Sequence, residues 1–267
     1  MPDSPITLPQ PQLLQPDDPP PVVVINPDGA MPVVLICDHG SNRVPNGLAD
    51  LGLDAAARSR HIAWDIGAAA VGRMLADRLD APLVLPAYSR LVIDLNRDPD
   101  DPTAICVISD RTIVPGNRDL SPAGRAARVT EIFQPYHQAV AACIDRHLTR
   151  GQRPALVSLH SFTPVIAGWG HERQERPWHI GVLFDRDERL AQPLLAALRQ
   201  RGDLVVGENE PYSGRNGHGY SLDHHGTARG LPHVELEMRQ DLIADSAGAA
   251  RFAGILAETL TPLLAAR

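Results

Sequence analysis

The sequence predicts an α/β fold, a three-layer sandwich around a mixed, mostly parallel sheet, on three observations. Short β-branched runs alternate with helix-length amphipathic segments from residue 22 onward, the order that produces a sheet covered by helices. Hydrophobic residues make up 43% of the 267 residues, enough to fill a sizeable core. No repeat and no strong compositional break divides residues 22–267, which read as a single α/β domain.

Taken in order, residues 1–21 hold eight prolines and read as a disordered arm. Val22–Ile25 and Val33–Cys37 are strand candidates, flanked by proline and glycine. Asp54 is placed to cap a helix running to about Leu79. Leu83–Leu85 and Leu91–Leu95 read as strands, followed by the acidic loop Asp98–Pro102. Ser121-Pro122 opens a second long helix, to about Thr149, because proline is tolerated in a first helical turn. Ala155–His160 and His179–Phe184 read as strands, Glu188–Arg201 as a helix, and Leu204–Val206 as a further strand. Residues 207–230 carry glycine and histidine without periodicity and suit a functional lid, with hinge freedom at Gly214, Gly217 and Gly219. His233–Met238 is a strand and Ser246–Leu264 a final helix.

Composition removes several chemistries. All 25 basic residues are arginine. Without lysine there is no Walker-type phosphate loop, no Schiff base and no Ser–Lys dyad. A net charge of −7 and only 4% aromatic residues argue against nucleic acid. Cys37, Cys106 and Cys143 form no CxxC pair, so a reducing, cytoplasmic setting is expected. The first 21 residues lack the basic start and apolar stretch of a signal peptide. No apolar run approaches the roughly 20 residues of a membrane span.

Reactive residues of open α/β sheets gather where strands end, and three ends here are chemically loaded. They are Cys37-Asp38-His39-Gly40-Ser41-Asn42, Ser158-Leu159-His160-Ser161 and Glu235-Leu236-Glu237-Met238-Arg239. Two histidines and a carboxylate from separate strand ends suit a mononuclear catalytic zinc, with a nearby glutamate as general base. A carboxylate in an apolar strand, as at Glu237, needs a partner, and an ion pair with Arg239 is the alternative to a catalytic role. Asp94-Leu95-Asn96-Arg97 places a guanidinium where it can grip a substrate carboxylate at two points. The alternative for Arg97 is a structural pair with Asp94 or Asp98. No Gly-x-Ser-x-Gly elbow supports a serine hydrolase.

From about residue 30 to 260 the chain resembles the N-formylglutamate amidohydrolase family, of the zinc-dependent exopeptidase-like fold, phosphorylase/hydrolase-like in architecture. The resemblance rests on Asp38 through Pro45, His61 through Ala68, Ser89-Arg90 through Asn96-Arg97, Asn209-Glu210-Pro211-Tyr212, and His225 through Leu242. It implies one zinc ion held by His39 and His160. It implies that Glu237 activates the attacking water and protonates the leaving amine, and that Asn96 and Arg97 hold the amino-acid carboxylate. Arg90 would stabilise the oxyanion or grip a second carboxylate, and His225 would contact substrate or the oxyanion. The expected partner is a small acidic N-acyl amino acid, N-formyl-L-glutamate foremost, with histidine degradation as the family setting. Zinc carboxypeptidases carry His-x-x-Glu, and the fourth position here is Asn42. Asp65 is therefore the candidate third ligand, Asn42 the alternative, and an aspartate paired with Arg43 or Arg90 the structural reading of Asp65. Glu235 shares a strand face with Glu237 and is the alternative base. Tyr212 suits either a substrate contact or packing, and His218 and His224 suit a solvent-exposed loop. Two other functions stay open: a carboxypeptidase-like or other N-acyl amino-acid deacylase, and a metal-poor amino-acid-binding protein.

Overall fold

The computed structural model describes residues 12–167, 173–216 and 219–266. Gly217 and His218 of the expected lid, and most of the expected N-terminal arm, lie outside the described residues. The sheet has seven strands: β1 (Val22–Ile25), β2 (Val33–Ile36), β3 (Leu83–Pro86), β4 (Ala155–Phe162), β5 (Ile180–Leu183), β6 (Val206–Glu208) and β7 (His233–Arg239). Their spatial order is β1-β3-β2-β4-β7-β5-β6. The four central strands β3, β2, β4 and β7 run parallel, β1 is antiparallel to β3, and β5 is antiparallel to β7. The expected mixed, mostly parallel sheet is thus present. β2, β3, β4 and β5 are buried at every position, as strands covered on both faces must be.

Helices α1 (Ala68–Leu79), α3 (Ala191–Gln200) and α5 (Ser246–Ala265) pack on one face around Leu75, Leu159, Leu194 and Phe252. Helix α2 (Gln134–Thr149) covers the other face with Tyr136, Val140 and Ile144 against Val34, Ile36 and Leu156. A short helix α4 (Tyr220–His225) orders part of the 207–230 segment. Among the described residues no helix is long and apolar enough to cross a membrane.

Two predicted elements differ. The helix expected from Asp54 to Leu79 is broken: Asp54 caps only Ala55–Ser59, and α1 begins at Ala68. Gly67 sets the break with a φ of +83°, and a Cβ there would sit 2.3 Å from the Ile243 carbonyl oxygen. Leu91–Leu95 is buried but is not a strand. Its carbonyls are satisfied by side chains instead of a sheet neighbour: Arg128 donates to Val92 O at 2.8 Å and Asn117 to Leu91 O at 2.9 Å. Buried backbone needs partners but not a particular kind of partner. Residues 12–21, expected to be disordered, lie on the body. Glu131 accepts from the backbone N–H groups of Leu13 and Leu14, and Tyr88 donates to Pro19 O.

Candidate metal centre and substrate cavity

The carboxyl ends of β2, β4 and β7 meet at one edge of the sheet, and register sets who meets whom. Ile36 and Glu235 both lie opposite Ser158, and Glu237 lies opposite His160. The chain leaving β2 brings Asp38 and His39 to the same level. The turn that interrupts the expected helix then delivers Asp65, whose N–H donates to His39 O at 2.9 Å.

His160 Nδ1 is 2.8 Å from Asp65 Oδ2, and His39 Nδ1 is 3.3 Å from the same oxygen. All three residues are buried, and their potential ligand atoms lie within 4.8 Å of one another. The far side of each ring meets a fixed acceptor. His39 Nε2 donates to Asp94 Oδ1 at 2.7 Å. His160 Nε2 donates to Ser158 Oγ at 2.9 Å, and Ser158 in turn donates to Asp38 Oδ2 at 3.3 Å. Tyr136 and Ser221 each donate to Asp38 Oδ1 at 2.8 Å. Such outer partners hold metal-ligating imidazoles in one tautomer and orientation. A His₂-carboxylate donor set suits a divalent transition metal with an open position, so these three residues could hold such an ion.

Charge is concentrated here. Burial opposes ionisation of His160, but Glu235, Asp38 and Asp65 outweigh it and hold its proton well above the ordinary imidazole range. Burial and Arg90 likewise oppose protonation of His39, and Asp94 and Asp65 overcome them. Burial raises Asp38, yet its hydrogen bond to and attraction for His160 bring it down to about 2. Glu237 moves the other way. Burial, then the neighbouring Asp65 and Glu235 charges, push its carboxyl well above the usual range against the pull of His160. Its Oε2 has no hydrogen-bond partner among the described residues.

A cavity of about 290 Å³ opens on the cluster, with Glu235, Glu237, Arg90, Asn96 and Arg97 on its walls. A larger one of about 840 Å³ adjoins it and shares His61, Arg90, Arg97 and Tyr212.

Residues 31–244 match the family model for N-formylglutamate amidohydrolase. The chain belongs to the N-formylglutamate amidohydrolase family. It superposes on the crystal structure of gene product Atu2144 from Agrobacterium tumefaciens with a TM-score of 0.90, at 37% identity over 96% of this chain and 99% of that one. It shares its fold with N-formylglutamate amidohydrolase from Ralstonia eutropha JMP134: TM-score 0.73, 21% identity, 93% of this chain and 98% of that one. No curated protein matches the sequence.

The N-formylglutamate amidohydrolase fold brings His39, Asp65, His160, Glu235, Glu237, Arg90, Asn96 and Arg97 to one cavity. It does not bring Asn42, whose amide donates to Arg58 O at 3.1 Å. Asp65 lies in the cluster, with Arg90 Nη1 3.8 Å from its Oδ1. Asp94 pairs with Arg90 at 2.5 Å, not with Arg97, and Arg239 pairs with Asp241 at 2.9 Å, not with Glu237. Asn96 uses both ends of its amide, accepting from Ser221 N at 3.0 Å and donating to Glu235 at 3.4 Å. His225 lies off the cavity walls. It is buried and donates through Nε2 to His137 Nδ1 at 3.0 Å, while His137 Nε2 donates to Leu95 O. Burial takes His137 down to about 4 and His225 to about 3. His224 is exposed and stacks on Tyr220. Sequence reasoning did not reach Asp38 as the anchor of His160, Asp94 as the anchor of His39, or Arg176 beside Tyr212.

Proposed function

We propose that this chain is a metal-dependent amidohydrolase that cleaves N-formyl-L-glutamate, or a closely related N-acyl amino acid, to the carboxylic acid and the free amino acid. The observation that carries this reading is the sharing of one cavity by a buried His39–Asp65–His160 donor set and a Glu237 carboxyl whose Oε2 has no hydrogen-bond partner among the described residues. His39 Nδ1, Asp65 Oδ2 and His160 Nδ1 would hold the ion. A divalent ion such as zinc supplies Lewis acidity, polarising the amide carbonyl and acidifying water toward pKa ~7.

The chain's own residues do the remainder. Glu237 accepts a proton from the attacking water and returns it to the departing nitrogen, the double duty of one carboxyl group acting as base and then acid. Its buried setting raises its basicity toward the working range. Arg97 has no ion pair among the described residues and lines both cavities, so it is free to take the amino-acid carboxylate by two parallel hydrogen bonds. Arg90 reaches the cavity beside His39, its Nη1 3.2 Å from Nδ1, and supplies positive charge where the carbonyl oxygen turns negative. Asn96 fixes the backbone turn that presents Arg97 and steadies Glu235.

The test is a substrate panel: N-formyl-, N-acetyl- and N-succinyl-L-glutamate and a glutamyl dipeptide, followed by release of free amino acid. Formyl-glutamate is expected to give the highest kcat/KM. Absence of turnover on every member would refute the activity, and preference for the dipeptide would move the chain to a peptidase.

A further inference from the structure

The larger cavity has a charge pattern that the catalytic cluster does not use. Five arginines and two aspartates line it, in a chain whose net charge is −7. Asp94 is taken by Arg90 and Asp110 by Arg60, at 2.5 and 2.6 Å. Arg97, Arg173 and Arg176 are left without a carboxylate among the described residues.

Arg176 is the unusual member of the three. It is only 6% exposed, whereas Arg173 is open to solvent. Its guanidinium sits between two rings, 4.8 Å from the centroid of Tyr212 and 5.9 Å from that of Phe162. Among the described residues a single side-chain hydrogen bond engages it, from Nη1 to the Tyr212 hydroxyl at 2.9 Å. Five N–H donors on a buried cation with one acceptor is an unfinished arrangement, because buried charge is normally paired. Ring faces hold a cation in place but do not neutralise it. Tyr212 stands on the wall common to both cavities and Arg176 lines the larger one, so the Tyr212 hydroxyl ties this guanidinium to the wall of the cavity that opens on the His39–Asp65–His160 cluster.

We infer that Arg176, held by Tyr212, is the binding site for a second, side-chain carboxylate of the substrate, and that it sets a preference for N-acylated dicarboxylic amino acids. Arg97 takes the carboxylate common to all amino acids, and Arg176 takes the one that separates glutamate from glutamine. Arg90 cannot serve as this second grip while Asp94 holds it. The inference rests on the amidohydrolase reading for the placement of the scissile bond, but not for the presence of the anion site.

The experiment compares N-formyl-L-glutamate with its neutral isostere N-formyl-L-glutamine in wild type, Arg176→Met, Arg176→Lys and Arg97→Met. Methionine keeps the apolar stem between the rings and removes the charge. Direct binding of L-glutamate and L-glutamine by calorimetry is measured in the same proteins. Wild type is expected to favour the glutamate substrate. Arg176→Met is expected to lower the glutamate-to-glutamine ratio of kcat/KM at least about 10-fold, mostly through KM, the size of a lost charge-assisted contact. Arg176→Lys restores part of it, and Arg97→Met depresses both substrates together. A ratio unchanged in Arg176→Met, with the protein folded and turning over, overturns the inference and leaves the amidohydrolase reading intact. If no variant turns over but wild type binds glutamate over glutamine and Arg176→Met does not, the anion site stands and the amidohydrolase reading falls. A packing role alone predicts a lower melting temperature with equal losses on both substrates, and that result also overturns it.

Discussion

Asp94 Oδ1 stands 2.7 Å from Nε2 of His39, and its other oxygen takes the Arg90 guanidinium. One carboxylate thereby fixes the tautomer of a candidate ligand and anchors the Arg90 guanidinium on the cavity wall. Asp94→Asn keeps the shape and loses both effects. It is expected to weaken zinc binding about 10–100-fold, as other outer-partner losses do, with the far-UV spectrum unchanged. Competition against a chromophoric chelator measures this, and wild-type affinity in the variant would show that Asp94 serves Arg90 alone.

Protons and a cation compete for the same atoms. His39 and His160 are both held above the ordinary imidazole value by surrounding carboxylates, so ion uptake near neutral pH has to release protons from Nδ1. Zinc affinity is then expected to rise with pH. Calorimetry in two buffers of different ionisation enthalpy should show net release of at least about one proton per ion; release indistinguishable from zero at pH ~6.5 would contradict the raised values.

Glu237 is the opposite case. Its folded value lies well above its unfolded one, so the native state keeps a proton that the unfolded chain gives up. Stability from this group is fully present below about pH 4.5 and is lost as pH rises through the raised value. Glu237→Gln removes that slope. With both proteins chelated, the variant is expected to be more stable than wild type at about pH 8 by roughly 1–3 kcal/mol, the scale of an uncompensated buried polar group, with the gap closing toward pH ~4. The same change is expected to lower kcat about 10²–10⁴-fold, the contribution of a general acid–base group. Thermal unfolding across pH, paired with turnover, checks both halves.

Gly67 links backbone geometry to the candidate metal site. Its φ of +83° and the 2.3 Å clearance to Ile243 O leave no room for a side chain. Gly67→Ala is expected to destabilise the chain by more than about 1 kcal/mol and to displace Asp65, two residues earlier. Urea unfolding and zinc stoichiometry report the two effects, and a variant with wild-type values in both would detach Asp65 from this turn.

The parts of the molecule legible in the sequence are those in which chemistry and local pattern coincide. His39 and His160 close β-branched apolar runs, and Glu237 interrupts one, so each is visible as a polar residue at a strand end. Asp65 was visible as a ligand type but not as a loop residue. Alanine-rich neighbours continue the helical pattern through it, and the break depends on Gly67 meeting a carbonyl from residue 243. Leu91–Leu95 looks like a strand because burial alone fixes its composition. Its real partners, Arg128 and Asn117, come from distant segments. Asp38 and Arg176 carry no local signal, since their roles arise only from what long-range packing sets beside them: Tyr136 and Ser221 in one case, Phe162 and Tyr212 in the other.

The proposed centre is one divalent ion held by His39, Asp65 and His160, on which amide hydrolysis depends. The most direct measurement is formate release from N-formyl-L-glutamate by chelator-stripped protein titrated with zinc. Activity is expected to be lost on stripping, to return in proportion to added zinc and to saturate at one equivalent per chain, and Asp65→Ala is expected to show no such return. Full activity in the stripped protein would contradict it.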